Sequence, residues 1–566
     1  NIYDGLDSKK FYHVDQFGNP LPNPSPLPTP NPTPFQEFIN KEYLGPFSYG
    51  QAVTSTLLIQ QISGCRFTNI QSPNKNYYFR IDSNPVEIFD NIFENTIEST
   101  NYPAIFWIQN NQNQIKIKNC TFIKIVGKSG TDGNILNSDS STLIIFEGSK
   151  LYNCGIGSNK ALVDFKNINK GIGSCQFIKC LFYFDDSTKS SQIVLTLSSE
   201  IIFDECEFHK CNENAIEMNI QTTSTSTGNF EFKNNIVKDI NYKFITGHNI
   251  RGMINIENNT FENIFLTDNY FIELSHDQEN IEIKYNTFSN IEVEGTTSQY
   301  FGGISTYLKC TTSTEYSIIY KSNKFYDITN SYSNSPFNYG GCIQIGFVDE
   351  FKHISISFLN CEFKRNKTPK HGGSIAIETY GTIQISNCTF ENNIANYEPT
   401  NKQLLTIKQE GRGGAIFISS VKTDTSSTGD ITIKNCLFRQ NEAFDGFSIY
   451  FEGDELETAP SIINNKFYNN YNSIDDSPNN HGCITSEILN VDKTMVEEKN
   501  DFSNNEHGAG TEKFIYVSNS GVKLPDPSST PQSTPAPTMT PIVGSNSNFI
   551  DKTFEGTFSF GQAITS

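Results

Sequence analysis

Three groups of residues have the types and spacing to do chemistry. Asn-x-Ser/Thr acceptors for N-linked sugar stand at Asn119, Asn258, Asn366 and Asn387. Ser25, Thr29, Thr33, Thr530, Thr534 and Thr540 each directly precede a proline, the composition of O-glycosylated stalks. Asp185-Asp186 and Asp475-Asp476 are the only Asp-Asp pairs, the second close to His481. Paired carboxylates are what glycoside cleavage needs. Neither pair comes with an Asn-Thr-Asp or Arg-x-Lys element, however, and loop tips account for both. The thirteen cysteines include Cys175-x4-Cys180 and Cys206-x4-Cys211 but no CxxC, so zinc spacing is absent. No Gly-rich phosphate loop and no calcium-binding repeat is present. The expectation is a non-enzyme with no catalytic residue, no metal and no cofactor, carrying covalent glycans.

What must position these residues is a repeat. The octet Ser386-Asn387-Cys388-Thr389-Phe390-Glu391-Asn392-Asn393 returns about every thirty residues. Indexed by its Phe, the pattern recurs at Phe67, Phe93, Phe122, Phe177, Phe208, Phe261, Phe288, Phe325, Phe363, Phe390, Phe438, Phe467 and Phe502, with Leu151 and Val237 filling two more copies. Two residues earlier stands a cysteine (Cys65, Cys120, Cys175, Cys206, Cys361, Cys388, Cys436) or an asparagine (Asn91, Asn235, Asn259, Asn286, Asn323, Asn465, Asn500), with Ser149 the exception. A fixed period of this length reads as a solenoid, each repeat burying its face against its neighbours. Apolar residues alternate ahead of each Phe, as in Ile431-Thr432-Ile433-Lys434, which signals strands. No window carries a capped 3.6-residue stripe, so strand–turn–strand coils are expected throughout. The fold predicted is all-β: a parallel β-helix of about fifteen coils. The Phe and the Cys/Asn point inward as a structural ladder, in which a buried Asn must bond to backbone or to the next Asn. The residues one and three before the Phe then point outward. That places the acceptors Asn119, Asn258 and Asn387 on one outer face and predicts glycans there. Asn366, three after its Phe, is expected inside a turn and unmodified. Ladder cysteines read as small buried hydrophobes or as disulfides between adjacent rungs, for example Cys180 with Cys211, since rung spacing falls within disulfide reach.

A second motif, Gly302-Gly303-Ile304, Gly340-Gly341-Cys342-Ile343, Gly372-Gly373-Ser374-Ile375 and Gly413-Gly414-Ala415-Ile416, alternates with the first, and His481-Gly482-Cys483-Ile484 is a weaker copy. Glycine pairs suit sharp corners. Phe-x-x-Asn follows in the same region, from Phe363…Asn366 to Phe502…Asn505. Together these resemble the GGAI/FxxN repeats of the chlamydial polymorphic outer membrane proteins and of similar protist surface proteins, most closely over residues 300–505. The resemblance implies a right-handed parallel β-helix displayed at a cell surface.

The net charge of −20, with 42 Lys and Arg among 566 residues, argues against a nucleic-acid footprint. No apolar run reaches the roughly 18–20 residues of a membrane span. The ends repeat each other. Lys10-Phe11-Tyr12-His13-Val14 and Leu21-Pro22 match Lys513-Phe514-Ile515-Tyr516-Val517 and Leu524-Pro525, and residues 38–55 match 549–566 at 11 of 18 positions. A proline-rich stretch follows the first match at each end, of the composition that favours extended linkers. The expected organisation is therefore the end of a preceding module (1–19), a linker (20–34), a β-helix module (35–522), a second linker (523–541) and the start of the next module (542–566). Expected partners are neighbouring modules, with surface glycans or host ligands as the alternative, and the expected location is extracellular or at the cell surface.

Overall fold

The computed structural model describes residues 38–40, 42–44, 52–53, 60–70, 77–82, 86–96, 104–109, 114–125, 135–138, 143–154, 162–165, 174–184, 194–196, 200–211, 215–219, 229–267, 271–278, 280–294, 304–308, 316–331, 342–347, 354–378, 381–395, 411–420, 430–453, 458–472, 482–505, 512–518 and 522–527. The chain divides into two units, Asn1–Leu524 and Pro525–Ser566. Of the second unit only residues 525–527 are described, none of them in a strand or helix, and the architecture below is that of the first. It is a parallel β-helix built from three parallel sheets. One coil shows the plan. Ile431–Lys434 lies in sheet A, Asn435 turns a corner at φ 55°, and Leu437–Arg439 lies in sheet B. Gln440 turns again at φ 54°, Glu442–Ala443 continues sheet B, and Ile449–Gly453 lies in sheet C.

Alternation within each strand explains why the tube fills itself. In sheet B the index residues pair in register, Phe67 with Phe93, Phe93 with Phe122 and Phe122 with Leu151. The run continues to Phe467 with Phe502. Rings on adjacent coils stack, as in Phe363–Phe390 and Phe390–Phe438, both at 4.9 Å between centroids. Isoleucines do the same on sheets A and C: Ile356–Ile383–Ile431 and Ile343–Ile375–Ile416–Ile449–Ile484 are register partners and fully buried. Each such side chain contributes about 1.5–3 kcal/mol by leaving water. Coil length varies because only the loops change. Successive ladder residues lie 24 positions apart at Asn235–Asn259 and 48 apart at Asn393–Asn441.

The register corrects one copy of the repeat. Phe177 pairs with Phe146 and Phe203 in sheet A, not with the index column. Its place in sheet B is taken by Phe182, opposite Leu151 and Phe208. The ladder residue of that coil is therefore Cys180, and Cys175 belongs to sheet A beside Ile144 and Ile201. There is also an opening coil ahead of the first indexed copy, with Glu42–Leu44 paired to Arg66–Thr68 so that Tyr43 stands opposite Phe67.

The far end departs from strand–turn–strand. Sheet A has fifteen strands, and where a sixteenth would follow stands the helix Lys493–Lys499, whose Lys499 carbonyl accepts from the Asn464 amide at 2.9 Å. Asp492 caps it, its Oδ1 accepting from the Met495 amide at 2.9 Å, and Val496 is its buried residue. Two turns with one apolar anchor make no stripe, so periodicity missed this element. In sheet C, Glu512–Val517 is the last parallel strand, and Lys523–Leu524 closes it antiparallel, Tyr516 opposite Leu524. These two residues had been expected to begin the linker. The Phe stack ends at Phe502, half-buried, with the Lys513 ammonium 5.7 Å above its ring.

Candidate functional site

Two internal amide ladders run along the tube. In the first, the Nδ2 atoms of Asn235, Asn259 and Asn286 donate to Oδ1 of Asn259, Asn286 and Asn323 at 3.1, 2.9 and 3.0 Å. Each Oδ1 also accepts the backbone N–H of the preceding ladder residue, as Asn286 Oδ1 does from Asn259 at 2.9 Å. Each Nδ2 finds a main-chain carbonyl of sheet A; that of Asn286 reaches Ile256 O at 2.8 Å. Asn465 and Asn500 repeat the scheme, and Asn91 accepts from the Cys65 amide. Cysteine imitates it. The Cys206 thiol donates to Phe177 O at 3.3 Å, and the Cys388 sulfur accepts the Cys361 amide at 3.4 Å. The second ladder is the FxxN asparagines, Asn366–Asn393–Asn441–Asn470–Asn505, linked at 3.1, 2.9, 3.0 and 3.0 Å. Their Nδ2 atoms also bond the carbonyls of index residues, such as Asn393 to Phe363 O at 3.0 Å. Asn366 is thus fully buried with its amide nitrogen engaged twice.

All twelve described cysteines are buried with free thiols. The ladder neighbours of Cys180 are Ser149 and Cys206, because Leu181 pairs with Lys150 and Glu207. Cys211 follows Phe208 by three, in the other interior column, so a Cys180–Cys211 bond does not match the register. Burial pushes the Cys120 and Cys154 thiols up to about 12, which keeps them protonated and inert.

The N-glycan acceptors share one outer corner. In the coils before the terminal helix, the residue three before the index position turns between sheets A and B with positive φ: 55° at Asp90, 51° at Asn119, 55° at Asn234 and Asn258, 54° at Asn387. Asn, Asp and Gly tolerate this left-handed conformation, which is why asparagine recurs here. Asn119, Asn258 and Asn387 are exposed, and Thr121, Thr260 and Thr389 half-exposed. Neighbouring corner side chains bond along the rod, Asn119 Nδ2 to Asp90 Oδ1 at 3.1 Å and Asn258 Nδ2 to Asn234 Oδ1 at 2.7 Å. The Ser/Thr-Pro positions Ser25, Thr29, Thr33, Thr530, Thr534 and Thr540 lie outside the described residues, as do both Asp pairs and His481.

Sequence reasoning missed a charged cluster on the outer face of sheet C. Arg412 Nη1 lies 2.8 Å from Glu452 and 3.5 Å from Glu487, with its guanidinium 4.8 Å above the Tyr450 ring. The Tyr450 hydroxyl donates to Glu487 Oε1 at 2.8 Å, and Thr485 donates to Asp445 at 2.7 Å. Burial holds the Glu487 carboxyl above the usual range; burial and then the Glu452 charge do so for Glu378. The residues come from different coils, so only the register, Tyr450 opposite Thr485 and Ser419 opposite Glu452, unites them. Arg412 neutralises both acids and ties three rungs together, the arrangement of a structural network. Among the described residues no group of His, Cys, Asp or Glu is placed to hold a metal ion, and no helix is long and apolar enough to cross a membrane. No family model, curated protein or solved structure matches the chain.

Proposed function

We propose that this chain is the repeating structural segment of an extracellular tandem-module fibre, a rigid β-helix strung on proline-rich, glycosylated linkers. One observation carries this reading. The words that recur at the two ends of the sequence are those that open and close the solenoid. Lys513–Val517 and Leu524 belong to its last strands, and their counterparts stand at Lys10–Val14 and Leu21. Residues 38–53 supply its first strands in all three sheets, and their counterparts stand at 549–564. A chain that repeats its opening and closing sequences around proline-rich spacers makes a string of such units. The resemblance to surface-displayed repeats supports the location. Electron microscopy of native material, with mass spectrometry of the linker peptides, tests it. Regular fibres with one module per axial repeat, and sugar on Thr29, Thr33, Thr530 and Thr534, are expected. Isolated rods with bare linkers would sink it.

A displayed adhesin is the second reading, favoured by the exposed aromatic side chains Tyr468 and Tyr471 along sheet B. It requires saturable ligand binding by a single module. The charged cluster gives the non-enzymatic assignment its own check. Cleavage of an acidic polysaccharide by the intact chain, lost in Glu487→Gln, would overturn it.

A further inference from the structure

Among the described residues, one aromatic side chain stands at the outer corner in the left-handed conformation that bulky residues disfavour. Tyr285 occupies the corner position at φ 58°, where a bulky aromatic is strained by about 1–3 kcal/mol. Its side chain is 48% exposed, so no core packing compensates for the strain. The coil before it places Asn258 at the same corner, since Thr260 pairs with Thr287. The two corner residues are therefore one rung, about 4.8 Å, apart. Beside them is an open surface cavity of about 460 Å³ lined by Lys233, Asn234, Glu257, Asn258 and Tyr285. The acceptor nitrogen of an N-glycosylation sequon thus forms part of the wall of a cavity with an exposed aromatic ring on one side and charged hydrogen-bonding groups on the other. The other two acceptors lack this arrangement. The next corner after Asn119 is Gly148, and the next after Asn387 is Asn435.

We infer that the cavity is the seat of the first sugar of an N-linked glycan on Asn258, with Tyr285 as its stacking platform. This rests on the reading of the chain as extracellular and glycosylated. Attachment forms the bond from Asn258 Nδ2 to the anomeric carbon of an N-acetylhexosamine supplied on a lipid pyrophosphate. The anomeric carbon–oxygen bond breaks, the pyrophosphate departs with its electrons, and one amide hydrogen leaves as a proton. The second amide hydrogen remains and preserves the 2.7 Å bond to Asn234 Oδ1. The C–H face of the sugar meets the electron-rich face of the Tyr285 ring, while Lys233 and Glu257 offer a donor and an acceptor to its hydroxyl and acetamido groups. The sugar thereby offsets the strain of an aromatic residue in a left-handed corner.

The test is the rate at which a glycan amidase releases each sugar from the folded full chain secreted by a eukaryotic host, followed by site-resolved mass spectrometry. The Asn258 glycan should leave several-fold more slowly than those on Asn119 and Asn387. Tyr285→Gly, which suits the corner backbone, should abolish that protection, and Tyr285→Phe should keep it. Without sugar, in an Asn258→Gln background, Tyr285→Gly should raise the unfolding temperature, and in the glycosylated chain that gain should vanish. Equal release at the three sites, or an unchanged rate in Tyr285→Gly, overturns the seat. So does sugar on Asn119 and Asn387 with none on Asn258, while the extracellular reading survives. Sugar at none of the three removes both.

Discussion

At the scale of single residues, the ladder position asks for one donor and one acceptor in a small buried slot, and three residue types meet it. Asn286 accepts from the Asn259 amide and side chain and donates to Ile256 O. Asn286→Ala leaves those groups unpaired and should cost at least about 3 kcal/mol, taking roughly 1–3 kcal/mol for each buried group stranded. Asn286→Cys should cost less, because cysteine serves this position in other coils; hydrogen exchange at Asn259 and its neighbours separates the two. Ser149 shows that a hydroxyl serves as well, accepting from the Cys120 amide and donating to Ile117 O, both at 3.2 Å. Thiols add a pH dependence. The Cys120 thiol, normally near 9, is held near 12 by burial. The folded state therefore keeps a proton that the unfolded state loses above about pH 9. Stability is full below that pH and falls as pH rises toward 12. Unfolding temperatures measured from pH 8 to 11 should decline less steeply in Cys120→Ser. The ladder was legible from spacing alone except in one coil. There Cys175-Gln176-Phe177 and Cys180-Leu181-Phe182 both satisfy the pattern, five residues apart, and Lys179 at the turn (φ 54°) carries no Asn, Asp or Gly to mark which is which.

At the scale of elements, corners explain more of the sequence than strands do. In the Gly372-Gly373 and Gly413-Gly414 corners the two glycines have different jobs. The first takes φ of 62° or 68°. The second has no room for a side chain, since a Cβ on Gly373 would sit 2.0 Å from Gly414 O and one on Gly414 2.1 Å from Phe447 O. Gly414→Ala should therefore unseat its coil from the next, with local loss of protection at Ile449 and Tyr450, while Gly346→Ala, whose Cβ would meet nothing within 4 Å, should be tolerated far better; Gly446, at φ 57°, has Ile449 O 2.5 Å from where a Cβ would sit and is as demanding. Comparative thermal unfolding checks the order. Gly446 is itself a corner without a glycine pair to mark it in the sequence, because Phe447 stands where the second glycine would be. Strand alternation and the glycine pairs were visible in the sequence. The charged cluster around Arg412 was not, since its members are spread from Glu378 to Glu487 and only the stacking of coils of unequal length brings them to one face.

At the scale of the whole solenoid, fifteen strands at about 4.8 Å put the ends of sheet A on the order of 70 Å apart. Among the described residues strand pairing joins each coil only to the one before and the one after, so stability is largely a sum of neighbour terms. Substitutions in distant coils, such as Phe93→Ala and Phe438→Ala at about 3–5 kcal/mol each, should act independently, and a central loss should weaken cooperativity more than a terminal one. Calorimetric and van't Hoff enthalpies, compared across such variants, would show it. The sequence end that reads as a boundary is structurally a lid: helix Lys493–Lys499 over sheet A and the Lys523–Leu524 strand on sheet C.

That lid, and the direction of the hydrogen bonds beneath it, decide how the molecule bears load. Bonds between coils run along the axis, so tension entering through the chain opens them one rung at a time, as a zipper does, and not many together in shear. The first to part is the antiparallel strand Lys523–Leu524, followed by Glu512–Val517. Each freed coil of about thirty residues lengthens the chain by on the order of 100 Å. Single-molecule stretching should record a staircase of small, similar force steps, beginning at the C-terminal rung. Such a solenoid would yield gradually under strain and rewind when it is released, a shock absorber whose length is set by the number of coils.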